Sequence, residues 1–258
     1  MIDHDTRYWR YQYDVMQYFI PRLLRCGVHV AGASVLDIGC GSGGGTCALH
    51  DAGARCFGFD NDIHNVEVAL RFRQWRSMYF ACWDVCQDLR FTAPQYDLVV
   101  LHDVLEHLAD KAGALKKIRG FVRPDGRVFI TFPPWYSAYG GHQQRLPRLV
   151  HNLPFVHLLP GVPQLLPADR MGMRAFERLA SAQGLHVLQR WAYLVSPNHI
   201  RYGMRPIPAG ILGRIPLVSE VLCSGAAYLL SVDNLQALSV SPASEPRKIV
   251  KVGDGPGI

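Results

Sequence analysis

VLDIGCGSGGGT, residues 35–46, carries the reading of the fold. Apolar residues flank Asp37 in a strand pattern, and a helix starts near Thr46. Between the two lie Gly39, Gly41, Gly43 and Gly44. Glycines have no Cβ to hold a ligand away, and they take the positive-φ conformations that a tight strand-to-helix turn demands. Backbone N–H groups at such a turn are expected to face whatever lies beyond the carboxyl edge of the sheet. The stretch predicts a nucleotide-type cofactor site at the first strand of an α/β fold.

The glycine spacing does not name the cofactor. Gly39-x-Gly41-x-x-Gly44 also satisfies the dinucleotide fingerprint, and a structural turn without a ligand gives the same letters. Asp37 favours a cationic ligand, because a carboxylate there attracts an ammonium and sits badly beside a pyrophosphate. S-adenosylmethionine carries both an ammonium and a sulfonium. The run resembles the first motif of the class I S-adenosylmethionine-dependent methyltransferases, an acid followed by G-x-G-x-G. Here that motif is Asp37, Gly39, Gly41 and Gly43, with Cys40 inside the loop.

Three further runs follow in order. GFDND at 58–62 ends a second strand in Asp60, about twenty residues past the first glycine, where an acid can grip both ribose hydroxyls. Asn61 and Ile63 come next, where the resemblance implies adenine contacts. Asp84-Val85 follows the third strand: Asp84 can accept the adenine amine while Val85 covers the ring, or Asp84 can cap the next helix. YDLVVLHDVLEHL at 96–108 ends a strand in His102-Asp103, with Glu106 and His107 at helical spacing. It resembles the fourth-strand motif of ubiquinone-biosynthesis-type methyltransferases. With RPDGRVFITFPP at 123–134, the resemblance covers roughly 30–135. The cofactor set it implies is Asp37, Gly39, Cys40, Gly41, Gly43, Asp60, Asn61, Asp84, Val85 and His102.

Strand-like runs at 35–38, 55–60, 77–82, 96–101 and 126–132 alternate with helical patterns at 46–52, 62–75, 88–91 and 106–121. That alternation predicts right-handed crossovers and a parallel sheet covered on both faces. A helix at 172–183, a strand at 185–195 and an apolar run at 223–232 complete the pattern. The resemblance implies a late pair of strands, the last inserted antiparallel. The expected fold is α/β, a Rossmann-like doubly wound, mostly parallel seven-stranded sheet with one antiparallel strand, an N-terminal helix and a lid insertion. Residues 1–30 read as a helical cover, its tyrosines as a packing seam, and 31–240 as the methyltransferase domain. The Pro- and Leu-rich stretch 133–170 is too long for an ordinary connection and reads as the lid. Residues 241–258 read as a disordered tail.

At 258 residues and 49% hydrophobic, the chain is long enough for one substantial core. Its net charge of +6 is spread without a dense block, so nucleic acid is not the expected partner. The polar start reads as lacking a secretory signal, and no apolar run approaches the roughly 20 residues of a membrane span. Seven cysteines without a disulfide or zinc spacing read as reduced thiols of a cytoplasmic protein.

Methyl transfer from a sulfonium needs alignment and, for a hydroxyl acceptor, a base. His142, between two glycines and Gln143, is the preferred base, with Glu106 and His107 as further catalytic candidates. Asp103, Glu106 and His107 could instead hold a divalent metal from one face of a helix start. The run resembles the Glu-x-x-Glu-His arrangement that some ubiquinone-type O-methyltransferases and the small-RNA 2′-O-methyltransferases use with a divalent ion, with Asp103 in place of the first Glu. The aromatic and apolar residues of 132–159 predict a hydrophobic or aromatic small-molecule acceptor, with peripheral membrane contact compatible. An RNA 2′-O-methyltransferase and a non-catalytic methyltransferase-fold partner module are the alternatives.

Overall fold

The computed structural model describes residues 3–87, 95–138, 154–158 and 170–232. In chain order the regular elements begin with α1 (His4–Arg25), β1 (Ser34–Ile38), α2 (Gly44–Asp51), β2 (Arg55–Asp60), α3 (Ile63–Phe72) and β3 (Tyr79–Cys82). Then come β4 (Tyr96–His102), α4 (Lys111–Gly120), β5 (Val122–Phe132), α5 (Met173–Ala182) and β6 (Leu185–Val195). The last are β7 (Ile207–Pro208), α6 (Pro216–Leu222) and β8 (Gly225–Val232).

The strands form one sheet in the order β3-β2-β1-β4-β5-β8-β6-β7. β1 to β5 are mutually parallel, and β8 lies antiparallel between β5 and β6. The sheet has eight strands where seven were expected. The addition is the two-residue edge strand β7, antiparallel to β6, so two strands rather than one oppose the parallel set. Two residues inside a Pro-punctuated stretch are too few to show the alternation that marks a strand.

Burial on both faces explains why the central strands read as continuous apolar runs. In β4, Leu98 and Val100 face one way, into a core with Val15, Phe19 and Leu23 of α1 and Leu49 of α2. Val99 and Leu101 face the other way, into a core with Leu115 and Ile118 of α4 and Phe176 of α5. That is the two-residue period of a strand dividing its side chains between two layers. The Asp3 carboxylate caps α1 by accepting from the Thr6 N–H at 2.7 Å. The apolar stripe of α1 then packs along α2, with Gln12 as its one buried polar member.

The helix expected from 106 starts later. Leu105–His107 is a single 3-10 turn, and α4 begins at Lys111, capped where Asp110 accepts from the Gly113 N–H at 2.8 Å. Strand order reverses between β1 and β4. In open α/β sheets, ligands bind at the carboxyl ends of the strands at such a switch point. The weak helical pattern at 88–91, most of the lid and the tail at 241–258 lie outside the described residues.

Candidate functional site

The glycine loop after β1 is gripped from two sides. The N–H groups of Gly39 and Cys40 both donate to the Phe59 carbonyl, at 2.8 and 3.0 Å, and that of Gly43 donates to the Cys40 carbonyl. The Gly41 N–H donates to Asp60 Oδ2 at 2.9 Å. From α1, Gln12 Oε1 accepts from the Ser42 hydroxyl at 2.8 Å and the Gly44 N–H at 3.4 Å, while its Nε2 donates to the Cys40 carbonyl. A Cβ on Gly44 would lie 2.1 Å from the Trp9 carbonyl oxygen, so only glycine lets α1 lie this close. The N–H groups of Gly39, Cys40, Gly41, Gly43 and Gly44 are therefore spent inside the protein rather than offered to a ligand, against the sequence expectation. A pyrophosphate needs those donors, and a cation does not.

Asp37 lies beneath this loop, 3% exposed, with its Oδ2 accepting from the Thr46 hydroxyl at 2.5 Å. Burial pushes its carboxyl up to about 7, the Thr46 bond opposing and the Asp60 charge adding to the rise. Asp37 and Cys40 border a space of about 10 Å³ shared with Gln12, Met16, Gly39, Gly45 and His102. That is about the volume of one water. Neither residue lines the main cavity, and nor does Gly43. They lie within or behind the loop rather than on the cavity surface.

The main cavity, about 530 Å³, opens at the carboxyl ends of β1, β2 and β4. Gly39, Gly41, Asp60, Asn61, Asp84, Val85, His102, Asp103, Glu106 and His107 line it, so ten of the sequence-derived candidates converge there. Asp60 Oδ1 accepts from the Asp62 N–H at 3.0 Å and Asn65 Nδ2 at 3.1 Å. With the Gly41 bond this uses three of the roughly four acceptor sites of a carboxylate. Asp84 Oδ1 accepts from the Cys86 N–H at 2.8 Å, a turn-forming bond, while the residue still faces the cavity. His102 Nε2 is buried without a hydrogen-bond partner, its ring edge-on to Phe19. Asp60, Asp84, Asp103 and Glu106 make the lining acidic, which attracts a cation and repels a polyphosphate.

The metal alternative does not survive the geometry. Asp103 does not start a helix; it sits at φ +55°, in the left-handed region, ahead of the 3-10 turn. Its Oδ1 accepts from the Thr131 hydroxyl at 2.7 Å and its Oδ2 from the Asn198 side-chain amide. Glu106 is 3% exposed, whereas His107 is an exposed residue of the cavity lining. The Lys111 ammonium ties this turn to α4 through the carbonyls of Glu106 and Leu108. Among the described residues no group of three His, Cys, Asp or Glu could hold a metal ion. His142 lies outside the described residues.

The opposite wall escaped the sequence reading. After β6, Ser196 Oγ accepts from the Asn198 N–H, and Pro197 opens a 3-10 turn, Pro197–Tyr202. The turn is tied to β8, since the Ser196 N–H donates to Ser224 Oγ at 2.9 Å. Asn198, His199 and Arg201 all line the cavity. His199 Nδ1 lies 3.2 Å from the Ser196 carbonyl oxygen. A carbonyl only accepts, so Nδ1 carries the hydrogen and in the neutral ring Nε2 carries the lone pair. Tyr8 and Tyr11 of α1 complete this side, so these two tyrosines form cavity wall rather than packing seam. Burial, and after it the Asp103 charge, holds the Tyr11 phenol well above its ordinary range, so it stays a donor. The one local signal was Ser-Pro-Asn-His after an apolar strand, a cap sequence followed by two polar residues.

Residues 36–130 match the family described as "Methyltransferase domain". The chain is 34% identical over 102 residues to the ubiquinone biosynthesis O-methyltransferase of Aeromonas salmonicida, covering 39% of this chain and 43% of that protein. It is 30% identical over 111 residues to the mitochondrial ubiquinone biosynthesis O-methyltransferase of Bos taurus, covering 41% and 30%. The chain thus spans less than half the length of these relatives. Two solved structures have a similar fold. One is the magnesium protoporphyrin IX methyltransferase of Synechocystis PCC 6803 with bound SAH, with a TM-score of 0.56 at 16% identity over 90% of this chain and 89% of that one. The other is an S-adenosylmethionine-dependent methyltransferase from Clostridium acetobutylicum, with a TM-score of 0.58 at 12% identity over 86% and 92%. Residues 36–130 are thus similar to methyltransferase domains, and the sheet shares the Rossmann-like fold of these two solved structures.

Proposed function

We propose that this protein moves a methyl group from S-adenosylmethionine to a hydroxyl oxygen of an apolar or aromatic small molecule. The observation that carries the reading is the acidic cavity beneath a glycine loop whose N–H groups are already used, a site made for a cationic nucleoside. Bound there, S-adenosylmethionine supplies a methyl group already activated by its positive sulfur. On this reading Asp60 accepts from a ribose hydroxyl with its remaining acceptor site, Asp84 takes the adenine amine, and Val85 covers the ring; all three line the cavity. Gly39 and Gly41 admit the amino-acid end, which Asp37 attracts from behind the loop. His199 Nε2 is the base on the acceptor side and takes the hydroxyl proton. The relatives named as O-methyltransferases support oxygen as the acceptor atom. Seven thiols, none paired with another, suit a reducing, cytoplasmic setting.

The stretch between the turn after β6 and the start of β8 suits contact with an anionic lipid surface. Between Tyr202 and Leu222, Ile211 is 74% and Leu217 76% exposed, with Ile207 and Ile215 also outward. Arg205 and Arg214 are exposed among them, and the first acid of that stretch, Glu220, is buried. Apolar side chains interspersed with cations are the composition that enters an anionic interface. Among the described residues no helix is long and apolar enough to cross a membrane. Co-sedimentation with phosphatidylglycerol vesicles, and none with phosphatidylcholine vesicles, is the expected result.

S-adenosylhomocysteine, the demethylated cofactor, tests the main reading. At 100 times its Kd it should stabilise the fold by about 2.7 kcal/mol. An unmoved Tm at millimolar ligand overturns the cofactor assignment. Transfer of labelled methyl groups to a panel of phenols and catechols then identifies the acceptor class.

A further inference from the structure

His102 ends β4 and borders two spaces at once, the main cavity and the small space of about 10 Å³ that it shares with Asp37 and Gln12. Its two ring nitrogens differ. Neither makes a hydrogen bond among the described residues, and only Nε2 is shut off from solvent. Nε2 therefore faces the small space and Nδ1 the main cavity. Asp37 brings a second unbonded atom to the small space. Its Oδ2 accepts from the Thr46 hydroxyl, while its Oδ1 accepts nothing among the described residues although the side chain is buried. Gln12 brings a third group, because its Nε2 has two N–H groups and gives one to the Cys40 carbonyl. Three polar groups around the volume of one water is the setting in which proteins hold a buried water.

We propose that one water molecule bridges Asp37 Oδ1 and His102 Nε2 in this space, and that it fixes His102 as a neutral Nδ1–H donor to the carboxylate of the cofactor's amino-acid end. The carboxylate half of this statement rests on the methyl-transfer reading; the water half does not. Thr46 occupies Oδ2, and burial favours the protonated Asp37 carboxyl, so the proton sits on Oδ1 and is given to the water. Gln12 Nε2 supplies the second donor. Both lone pairs of the water are then used, and the water donates to His102 Nε2. An accepting Nε2 puts the ring hydrogen on Nδ1. The carboxylate needs such a donor. Gly39 and Gly41, the loop residues that line the main cavity, have given their N–H groups to Phe59 and Asp60. The acids of the lining repel an anion. His102 borders Asp37 and Gly39 and still has an N–H to give. A neutral donor there holds the carboxylate without setting a second cation beside the sulfonium.

Two experiments on the full chain test this. A crystal structure of the ligand-free protein should show one water in hydrogen-bond reach of Asp37 Oδ1 and His102 Nε2, and nitrogen NMR should find the hydrogen of His102 on Nδ1. No water between the two groups, or a hydrogen on Nε2, overturns the proposal. Calorimetric titration then compares S-adenosylhomocysteine with its decarboxylated form, which keeps the ammonium and lacks the carboxylate. Wild type should bind the carboxylate form at least roughly tenfold more tightly, the usual effect of a hydrogen bond to a charged group. His102→Phe should erase the difference, and His102→Asn, whose amide N–H lies near the place of Nδ1, should keep part of it. The wild-type measurements decide the proposal even where a variant fails to fold. Equal affinity of the two ligands in wild type, or full discrimination in His102→Phe, overturns the donor role and leaves the cofactor site standing. Binding of neither ligand removes the methyl-transfer reading and the carboxylate half together, while the water and the tautomer are still decided by the crystal structure and the NMR.

Discussion

The side-chain amide of Asn198 donates to the Asp103 carboxylate, joining the turn after β6 to the tip of β4 across 95 positions of sequence. Asp103 is held in the left-handed region by this bond and by Thr131, which both donates its hydroxyl to Asp103 Oδ1 and accepts from the Asp103 N–H. A non-glycine residue persists there only when its surroundings over-determine it. Losing the amide in Asn198→Ala should cost roughly 1.5 kcal/mol, the lower end for a bond to a charged group. Asn198→Asp should cost more, because two carboxylates then meet. Thermal melts rank the three proteins, and acceptor turnover should fall further than S-adenosylhomocysteine affinity in both variants.

Neighbouring glycines at the start of α2 should behave oppositely. The first of them, Gly44, faces the Trp9 carbonyl of α1 with no room for a methyl group, and backbone cannot swing aside. Gly44→Ala should lose roughly 1–3 kcal/mol by overpacking. A Cβ on Gly45 meets nothing closer than 3.7 Å, so Gly45→Ala should be neutral or stabilising by roughly 0.5–1 kcal/mol. Urea denaturation of the two variants separates these outcomes, and equal losses would contradict the close seating of α1.

Asp37 predicts a pH dependence with a definite sign. Its folded-state value of about 7 lies above the ordinary 3.8, so the native protein holds a proton that the unfolded chain has released. Stability of the ligand-free protein should therefore fall as pH rises from about 4 to about 7, and level off above. Asp37→Asn keeps an oxygen for the Thr46 hydroxyl and removes the charge. At pH 8 it should melt at least roughly 2–4 °C higher, the equivalent of about 1 kcal/mol for a chain of this size, while binding S-adenosylmethionine less tightly. A steeper loss of stability toward low pH in wild type than in the variant would reverse the sign and sink this account.

His199→Gln should lower kcat by roughly 10²–10⁴, the usual contribution of a positioned base. KM for the cofactor should stay within experimental error. An unchanged kcat would assign the proton to another group.

The strand-end half of the candidate site was legible because its signals are local. Asp37, Gly39, Gly41, Asp60 and Asp84 each sit within a few residues of a strand end, so strand pattern and turn chemistry locate them without knowledge of the tertiary fold. The spent N–H groups of the loop were not legible, since they depend on Phe59, Asp60 and Gln12 approaching from other elements. Gln12 itself is one polar residue on an apolar stripe and gives no periodic signal. The metal reading failed on a backbone angle. Spacing of three and four along 103–107 implies one helix face only if the backbone is helical there, and Asp103 is not. Asn198, His199 and Arg201 lie in an irregular turn about a hundred residues from the acids they face. Chain order carries no trace of that meeting.

The cavity walls have two origins. Gly39, Asp60, Asp84 and their neighbours lie inside the stretch that matches methyltransferase domains, whereas Tyr8, Tyr11, Asn198, His199 and Arg201 lie outside it on either side. On the methyl-transfer reading, exchanging Tyr8, Tyr11 and residues 198–201 should re-address the protein to a new client, while Trp9 and Gln12 keep the glycine loop seated and the fuel stays the same.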